Sequence, residues 1–363
     1  MNEPVKVGVE EEFLLVDART GRPAPRIEEV IADAEALAGD AAQPELHRAQ
    51  IETASPPCET LDQLRESLGG LRSRMAVAAD RHGVRVVASG TYPDEMGAAG
   101  RLITSKERYE TMAERNAILA DEQLICGCHV HVSVGDPDQA VLVVNRLRRH
   151  LPVLLALSAN SPFWQGRDTG FASYRTEVWS RWPSWGPPGR FRDSAEYGRV
   201  VDSLVAAGVI VDRAMAYWDA RPSDRFPTVE IRVADVALTV DGAVALAGLA
   251  RALVVHAAEE DDAAEDLRPE WQRAASWLAA RHGLDGDLLD AADGATMPAR
   301  QAVEMLLERL APTLSRLGDE VAVTERVGAI LERGTGAQRQ RQAYARGGFG
   351  AVLDLAALES REP

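Results

Sequence analysis

Residues 125–134 read ICGCHVHVSV, and the interpretation of the whole chain starts from this stretch. Its β-branched residues and its alternation of polar and apolar side chains predict a strand. Successive side chains of a strand point to opposite faces, so Cys126 and Cys128 share a face with the valines. His129 and His131 share the opposite face. We therefore predict that the cysteines pack as small core residues, and that the histidines form the polar side of a site.

This strand alone is not sufficient for a metal site. A structural zinc site needs about four converging ligands, so the partners of the two histidines must come from elsewhere in the chain. Taken singly, His129 or His131 also fits a hydrogen-bonded structural role. The presence of both on one face, opposite a row of apolar side chains, favours a functional site.

The composition and charge of the chain argue against several classes of protein. The chain has 363 residues, 46% of them hydrophobic, which is enough for a sizeable core. The formal net charge of −16 argues against nucleic acid or an anionic membrane as the main partner. Three cysteines, two of them in one strand, do not suggest a disulfide framework. We see no secretory signal and no uninterrupted apolar run approaching about 18 residues, so we predict a cytoplasmic enzyme.

Strands and helices are distributed unevenly along the chain. Strands are predicted at about 5–15, 45–54, 84–90, 124–134 and 227–236. Helices are predicted at about 27–38, 61–82, 105–122, 138–158, 194–219, 241–260, 268–281, 298–317, 319–333 and 336–358, the last with a Gly-Gly break. This distribution predicts an α+β fold, with a largely antiparallel sheet covered by helices. We expect residues 1–363 to form a single catalytic domain, with the sheet in about 1–240 and a helical part in about 241–360.

The segment 160–193 differs from the rest of the chain, because it is rich in Trp, Arg, Pro and Gly and has little periodicity. It is predicted to be a long irregular loop, and such loops often act as lids or binding loops. Its tryptophans either shape a bulky pocket or pack the loop onto the body of the protein: Trp164, Trp179, Trp182 and Trp185.

Three consecutive carboxylates occur in VGVEEEF, residues 7–13, which reads as a strand. Glu10 and Glu12 share one face, whereas Glu11 lies on the other. Neighbouring carboxylates in a strand repel one another, and a divalent cation would remove that penalty. The alternative is an exposed edge strand whose charges prevent aggregation.

Two further stretches add polar groups at strand positions. PELHRAQIETAS contains Glu45 and Glu52, whose opposite parity allows both to reach one face only if a bulge or a strand start intervenes. TVEIRVADV contains Glu230 and Arg232, which share a face. A surface position for Glu52 and a simple Glu230–Arg232 salt bridge are the alternatives.

Together, these strands can present carboxylates, two histidines and an arginine to one side of a sheet. Carboxylates with an imidazole suit Mg²⁺ or Mn²⁺. Magnesium ions held by carboxylates usually serve phosphate groups, and an arginine suits a phosphoryl group in transfer. Neither GxxxxGK[ST] nor GxGxxG occurs in the sequence, so any ATP would be held through metal ions and not by a glycine-rich loop.

Five motifs occur in order: VGVEEEF, ELHRAQIETAS, GCHVHVSV, SPFW followed by SYR, and TVEIRVAD. Together they resemble the type 2 glutamate–cysteine ligase family, also called YbdK-type carboxylate–amine ligases, over about residues 5–240. These ligases are similar in fold to glutamine synthetase. The resemblance implies a glutamine synthetase-like funnel formed by an antiparallel sheet, with two or three Mg²⁺ ions at one end and the ATP phosphates above them.

The resemblance also implies roles for individual residues. Six side chains are implied as metal ligands: Glu10, Glu12, Glu45, Glu52, His129 and Glu230. His131 and Arg232 are expected to contact the ATP phosphates, and Arg232 and Glu230 to act in catalysis at the transferring phosphate. Tyr174 and Arg175 are expected to bind substrate, with Arg175 as the clamp for a substrate carboxylate.

The activity implied by the resemblance is that of an ATP-dependent ligase that activates a carboxylate as an acyl phosphate and joins it to an amine. The expected substrates are ATP, L-glutamate and L-cysteine or a related amine, and the family likeness is compatible with a homodimer. Two alternatives use the same residues: a phosphotransferase resembling guanido kinases, and an inactive nucleotide-binding relative. The intact set of site residues argues against loss of activity.

Overall fold

The computed structural model describes residues 4–96, 102–260 and 266–361 of the chain. Within these residues, one large sheet and two small hairpins account for the strands. The strands are β1 (Val7–Asp17), β2 (Ala42–Pro44), β3 (Gln50–Ala54), β4 (Val84–Val87), β5 (Gly127–Ser133), β6 (Phe163–Trp164), β7 (Arg167–Asp168), β8 (Ala220–Pro222), β9 (Thr228–Asp235), β10 (Asp287–Leu289) and β11 (Thr296–Pro298).

Helices surround the sheet and make up most of the described chain after β9. They are α1 (Ile27–Ala38), α2 (Leu61–Asp80), α3 (Glu107–Asn116), α4 (Ile118–Asp121), α5 (Pro137–Leu147), α6 (Leu151–Ser158), α7 (Tyr174–Trp179), α8 (Ser194–Ala206), α9 (Val240–Glu259), α10 (Pro269–His282), α11 (Ala299–Leu317), α12 (Glu320–Arg333) and α13 (Gly336–Arg361). The predicted break in the last helix is confirmed, because Gly347 and Gly348 have non-helical backbone angles.

The large sheet has the order β2-β3-β1-β5-β9-β8, and β4 pairs with the C-terminal part of β1. Each of these neighbouring pairs is antiparallel. β1 is central, since it pairs with both β3 and β5. The predicted α+β class, with a largely antiparallel sheet and a helical C-terminal third, is confirmed.

One face of the sheet packs against helices. Val7 and Val9 of β1 and Cys128, Val130 and Val132 of β5 are buried in one apolar cluster with side chains of α2, α5, α9, α11 and α12. Removing this apolar surface from water is the main term that holds the helices on the sheet. The opposite face of the same strands is therefore the one free to carry polar groups.

The three cysteines are free and buried, which confirms the predicted core role of the two in the opening stretch. Cys126 does not share the environment of Cys128, however. β5 begins at Gly127, so Cys126 precedes the strand and packs with Phe13 and Leu124 in a second cluster. Strand alternation places a side chain on a face only where the strand has begun.

Three predicted helices are shorter or divided. The segment 138–158 forms α5 and α6 with a turn between them. In 105–122, Ala117 has a φ of 50° and separates α3 from α4. In 194–219, α8 ends at Ala206 before Gly208, whose φ is 70°, and the chain then leads into β8. Periodicity alone misses such breaks, since a positive φ interrupts a helix without changing the apolar pattern.

The predicted strand 45–54 is also divided. β2 ends at Pro44 and β3 begins at Gln50, so Glu45 lies in the connecting segment. Glu45 and Glu52 are therefore not on the same strand, and strand parity does not oppose their reaching the same side of the sheet.

α9 is largely apolar, and most of its residues are buried. Its length and composition would suffice to cross a membrane, but 83% of its most apolar window is buried inside the protein, as in a core helix. Gly248 allows close packing, because a Cβ atom at this position would collide with Val323 and Leu61. The predicted helix at about 241–260 is confirmed.

The segment 160–193 is less irregular than predicted, since it contains the β6–β7 hairpin and α7. Trp182 is buried, and Trp179 and Trp185 pack beside it in the same cluster. The rings of Trp179 and Trp182 both contact Tyr217, with centroids 4.6 and 5.6 Å away. Of the two interpretations of these tryptophans, packing of the loop onto the body describes the structure.

Candidate active site

Three rows of cross-strand neighbours bring polar side chains to the face of the sheet opposite the helices. The first row runs across β1, β5, β9 and β8 and contains Gly8, His131, Glu230 and Arg221. The second runs across β3, β1 and β5 and contains Ala54, Glu10 and His129. The third contains Glu52 of β3 and Glu12 of β1. Neighbouring rows are two residues apart along β1, which corresponds to about 7 Å.

The rows line a cavity of about 500 Å³. Its walls include every side chain predicted to bind metal or phosphate: Glu10, Glu12, Glu45, Glu52, His129, His131, Glu230 and Arg232. Arg108, Tyr109, Tyr217 and Phe226 are further lining residues. A cavity of this size can hold a small organic ligand. The sequence-based grouping of residues from four distant stretches therefore corresponds to one place in the structure.

Glu10 lies at the centre of this group. Its Oε2 is 3.4 Å from Nδ1 of His129, and its Oε1 is 3.4 Å from Nε2 of His131. Potential ligand atoms of Glu10, Glu52 and His129 lie within 4.8 Å of one another, and so do those of Glu10, His131 and Glu230. Burial opposes ionisation, but the contacts with the two imidazoles hold the pKa of Glu10 well below its usual range. Two possible cation positions thus share one carboxylate.

The two imidazoles differ in their protonation, since the contacts with Glu10 and Glu230 outweigh burial and raise the pKa of His131. Nδ1 of His131 lies 3.0 Å from the Thr228 hydroxyl, which fixes the orientation of the ring. Within the described part of the chain, Nε2 of His129 and Nε2 of His131 are buried without a hydrogen-bond partner. Burial and the nearby Arg232 charge lower the pKa of His129, which favours the neutral imidazole that metals bind. An unpaired buried nitrogen is costly, and a bound cation would supply the missing partner.

Glu230 is held between two arginines. Arg221 donates from Nε to Glu230 Oε2 at 2.8 Å, and Arg232 contacts Oε1 through Nη1. Burial opposes ionisation, but Arg232 and Arg221 hold the pKa of Glu230 well below its usual range. Nε of Arg232 is buried without a hydrogen-bond partner among the described residues. The salt bridge considered as an alternative is therefore present, and it lies inside the cavity.

Glu12 and Glu45 line the cavity but belong to neither three-ligand group among the described residues. Glu12 accepts a hydrogen bond from the Gly127 backbone N–H at 2.6 Å. Glu45 accepts one from the Tyr109 hydroxyl at 2.8 Å. Of the six predicted metal ligands, the structure groups Glu10, Glu52, His129 and Glu230 most closely, and it holds the other two beside them.

The carboxylates of Glu12, Glu45 and Glu52 lie together in and beside the third row, and they repel one another. Burial and the charge of Glu12 raise the pKa of Glu45 to about 7. Burial and the charges of Glu10, Glu45 and Glu12 raise the pKa of Glu52 well above its usual range. A site of this kind attracts cations, because a bound cation would relieve the repulsion among the carboxylates.

Tyr174 and Arg175 are not among the residues that line the cavity. The ring of Tyr174 packs against Trp164, with centroids 5.9 Å apart. Arg175 is buried, with Nη1 3.9 Å from Asp235 Oδ1, and its Nη2 donates to the backbone oxygen of Arg232 at 3.4 Å. The structure thus places Arg175 behind Arg232, so the predicted clamp does not contact the cavity in this arrangement.

Sequence reasoning missed several polar side chains of the cavity wall, among them Arg108, Tyr109 and Arg221. Arg221 lies on β8, a strand of three residues that is too short to show alternation. Arg108 and Tyr109 lie on α3, whose amphipathic pattern gives no reason to distinguish them from other helix residues. A usable signal is the stretch YWDARP, residues 217–222, which ends with β8. It places Arg221 among aromatic and small residues shortly before β9.

Comparison with known proteins agrees with the motifs. The family described as glutamate–cysteine ligase family 2 matches residues 6–354. A protein of Frankia alni, provisionally named glutamate–cysteine ligase 2-2, is 47% identical over 372 residues that cover 98% of this chain and 96% of that protein. A longer protein of Frankia casuarinae with the same provisional name is 45% identical, and this chain spans 42% of its length.

Similarity to solved structures extends over nearly the whole chain. The crystal structure of glutamate–cysteine ligase from Francisella tularensis in complex with AMP superposes with a TM-score of 0.73 at 12% identity. The match covers 99% of this chain and 89% of the other. At this level of identity it shows the fold alone, and it confirms the predicted arrangement of a largely antiparallel sheet with helices packed around it. The family match and the close relatives show that the chain belongs to glutamate–cysteine ligase family 2, a family of carboxylate–amine ligases.

Proposed function

We propose that this chain is an ATP-dependent carboxylate–amine ligase that forms an amide through an acyl phosphate. The proposed substrates are L-glutamate and L-cysteine or a related amine, in keeping with the names of its relatives. The observation that carries the proposal is the sharing of Glu10 between two groups of potential ligands, beside Arg232, in one cavity. Family membership supports the same reaction class.

The residues of the cavity fit magnesium or manganese. Glu10, Glu52 and His129 would hold one ion, and Glu10, His131 and Glu230 surround a second position, where His131 serves as ligand or as phosphate contact. Carboxylate oxygens with one imidazole nitrogen are a donor set that suits Mg²⁺ and Mn²⁺. When bound, these ions would neutralise phosphate oxygens and orient the polyphosphate chain. Glu12 and Glu45 would add negative charge beside both positions.

Arg232 and Glu230 act as one unit in this proposal. Arg221 fixes Glu230, and Glu230 holds Nη1 of Arg232 in place. Nε of Arg232, which lacks a partner among the described residues, is then available to the transferring phosphoryl group. A fixed cation in a buried site stabilises the charge that spreads over the phosphoryl oxygens, and no reorganisation is needed during the reaction.

The phosphoryl transfer is needed because a free carboxylate has no good leaving group. Transfer of the γ-phosphoryl group to a carboxylate oxygen gives ADP and an acyl phosphate. The amine nitrogen then attacks the acyl carbon, the carbon–oxygen bond to phosphate breaks, and inorganic phosphate leaves as the amide forms. The chain contributes positioning and electrostatic stabilisation to these steps.

Tyr174 and Arg175 remain part of the proposal as residues that shape the substrate end of the site. Arg175 contacts the backbone of Arg232, and Asp235 offsets its charge. We propose that Arg175 positions Arg232 in the described arrangement. Direct binding of a substrate carboxylate would require its guanidinium group to move away from Asp235.

The experiment that tests the function is a matrix of carboxylates and amines with Mg²⁺-ATP, measured by ADP formation, phosphate release and product mass. We expect equal amounts of ADP, inorganic phosphate and amide for one pair, with L-glutamate as the acid. ADP without free phosphate would indicate a phosphotransferase of the guanido kinase type. Binding of Mg²⁺-nucleotide by calorimetry without turnover of any pair would indicate the inactive nucleotide-binding relative.

We further propose that residues 1–363 act as one catalytic unit. Buried side chains of the sheet-bearing part, such as Val9 and Val130, belong to the same apolar cluster as Leu310 and Val323 of the C-terminal helices. Separate expression of about 1–240 and 241–360 should therefore give insoluble or unfolded fragments, as judged by circular dichroism and gel filtration.

A further inference from the structure

The stretch GTGAQRQR, residues 334–341, contains the start of α13 and contacts the segment between α6 and α7. The backbone N–H of Ala337 donates to the backbone oxygen of Ala159 at 2.9 Å. Arg341 pairs with Asp168 through Nε and Nη2, at 2.8 and 2.7 Å. None of the eight residues lines the cavity. The stretch therefore ties the C-terminal helix to the segment that leads into α7.

Gln340 is the fully buried polar residue of this stretch. Its Nε2 donates to the backbone oxygen and to Oδ1 of Asn160, at 2.8 and 2.7 Å, and lies 3.2 Å from Oγ of Ser89. Its Oε1 is buried without a hydrogen-bond partner among the described residues. An unpaired buried acceptor is costly. The side chain thus holds Asn160 at the cost of one unpaired oxygen.

Asn160 is fixed from several sides. Its Nδ2 donates to the backbone oxygens of Ala88 and Val236, at 3.0 and 2.8 Å. Gly336 allows α13 to approach it, because a Cβ atom at Gly336 would collide with the Asn160 side chain. Both polar ends of the Asn160 amide are therefore bound, and the residue has little freedom to rotate.

Asp235, at the end of β9, is the next member of the chain of contacts. The backbone N–H of Asn160 and the hydroxyl of Ser161 both donate to its Oδ2 at 2.7 Å. The hydroxyl of Ser173 donates to its Oδ1 at 2.8 Å. Asp235 is fully buried, and a Cβ atom at Gly90 would collide with its carboxyl group. The carboxylate is thus held in one orientation.

Arg175 lies between this buried network and the active site. Oδ1 of Asp235 is 3.9 Å from its Nη1, and its Nη2 donates to the backbone oxygen of Arg232 at 3.4 Å. The guanidinium group fills the space above Gly127, where a Cβ atom would collide with it and would lie 3.1 Å from Nε2 of His129. The position of Arg175 is therefore set from the side of the network.

We propose that Gln340 is a positioning residue, through which the C-terminal helix fixes Arg175 in the active site. The contacts run through Asn160 and Asp235. This inference rests on the proposed ligase function, because it assigns Gln340 to the site of that reaction. A misplacement of about 1 Å that originates far from the reacting atoms can cost up to about 10²-fold in rate, so a remote contact is able to affect turnover.

Gln340→Met tests the proposal, because methionine keeps the length of the side chain and removes its donor. We expect kcat per folded molecule, for the acid and amine that react, to fall about tenfold, while the dissociation constant for Mg²⁺-ADP changes less than twofold. Gln338→Met is the matched control. Gln338 lies on the same helix, but its Nε2 donates to Asp285 at 2.6 Å, so this variant should keep full kcat.

A double-mutant cycle shows whether Gln340 acts through Arg175. Arg175→Lys keeps the charge and removes the guanidinium group. In that background, Gln340→Met should lower kcat by less than about twofold, because the group that it positions is absent. A tenfold loss in both backgrounds would show that Gln340 affects the site by another route, and would overturn the inference.

Amide hydrogen exchange provides a measurement that needs no turnover. Gln340→Met should speed exchange at the backbone N–H groups of Asn160 and Arg175, which donate to Asp235 and to the Ser161 hydroxyl. Gln338→Met should leave both rates unchanged.

The outcomes separate this inference from the proposed function. If wild type forms an amide and Gln340→Met keeps either the wild-type kcat or the wild-type exchange rates, the positioning role is wrong and the ligase function stands. A lower melting temperature with unchanged kcat per folded molecule would show a purely structural role. If no pair of substrates reacts in wild type, the ligase function is wrong. Faster exchange in Gln340→Met would then still support the chain of contacts, and unchanged exchange would reject it as well.

Discussion

Glu10, Glu11 and Glu12 follow one another in β1, yet the two faces of this strand contain very different surroundings for a carboxylate. On the helix-covered face, Glu11 is fully buried and meets Arg72, which donates from Nε at 3.0 Å and from Nη2 at 2.5 Å. On the cavity face, Glu10 and Glu12 stand among further carboxylates and imidazoles. Glu11 has Arg72 as its partner within the protein, whereas the carboxylates of the cavity have too few positively charged side chains to pair with.

The difference separates a structural ion pair from a binding site. A buried carboxylate with a bidentate arginine is fully satisfied and has no need of a ligand. Burial and mutual repulsion instead raise the pKa of Glu52, and contacts with imidazoles and arginines hold those of Glu10 and Glu230 low. Buried carboxylates that the protein does not neutralise, and whose pKa values are shifted in opposite directions, are characteristic of functional sites.

The largest expected effect is on the structural face. Arg72→Ala should lower the free energy of unfolding by about 3–5 kcal/mol, because it leaves the Glu11 carboxylate buried without a partner. Chemical denaturation measures this loss. The double variant Arg72→Met/Glu11→Leu should recover most of it, since both charges are then absent. A cost below about 1 kcal/mol for Arg72→Ala would contradict the role assigned to the pair.

On the cavity face, Arg232→Ala should lower turnover by about 10²–10³-fold, through loss of charge stabilisation at the transferring phosphoryl group. Stability should change less than in Arg72→Ala, because Glu230 keeps its hydrogen bond from Arg221. A coupled assay for ADP measures the rate. Arg65→Ala, which breaks only an exposed pair with Asp241, is the control and should retain full activity. Near wild-type turnover in Arg232→Ala would exclude the proposed role.

Mg²⁺ should stabilise the folded protein through the carboxylates of the cavity face. At a concentration about 100 times its dissociation constant, Mg²⁺ should raise the free energy of unfolding of wild type by about 2.7 kcal/mol. Glu10→Gln should lose most of this gain, because Glu10 belongs to both groups of potential ligands. Glu59→Gln, at an exposed position, should keep it. Equal stabilisation of Glu10→Gln and wild type in thermal melts would argue against the proposed sites.

Removing one of the crowded carboxylates should change stability less than the variants above. The sign of the change should depend on whether Mg²⁺ is present. In the presence of a chelator, Glu52→Gln should raise the free energy of unfolding by on the order of 1 kcal/mol, since Glu10, Glu12 and Glu45 disfavour its ionised form. With Mg²⁺ in excess, the same variant should be less stable than wild type, because a ligand has been lost. Melting curves in the two buffers test both signs. Destabilisation in the chelator buffer would show that the repulsion is already relieved within the protein.

The smallest effect is expected for the cysteine that shares β5 with the histidines. Cys128→Ala should cost about 1 kcal/mol or less of stability, as a small buried side chain becomes smaller. Its Mg²⁺-dependent stabilisation and its turnover should equal those of wild type, since Cys128 lies among the valines on the helix-covered face. Loss of metal-dependent stabilisation in this variant would indicate that the Cys128 thiol takes part in metal binding.

Much of this division between faces was predictable from the sequence. Strand parity separated Glu10 and Glu12 from Glu11, and His129 and His131 from Cys128, because alternation is a strictly local property of an extended chain. The structure places these groups on opposite sides of the sheet, as predicted. The fold class was predictable for a related reason, since strands and helices have different periods of apolar residues.

Other parts of the site depend on contacts that no local pattern reveals. Glu45 reaches the cavity because a turn separates it from β3, and the sequence showed the parity conflict without showing how it is resolved. Arg221 comes from a strand of three residues. Arg175 matches a family motif, yet its guanidinium group is held by Asp235 behind the cavity wall. Side-chain direction in a loop or short helix follows from tertiary packing, which the spacing of residues does not encode.

The apolar helix α9 has a consequence for biosynthesis. Its partners include Val303 of α11 and Val323 of α12, which the ribosome adds later than α9 itself. At about 5–20 residues per second, this strongly hydrophobic segment is part of the nascent chain for several seconds before the helices that bury it have been synthesised. We expect holdase chaperones to engage the growing polypeptide during this interval, and truncation after α9 to give aggregation-prone products.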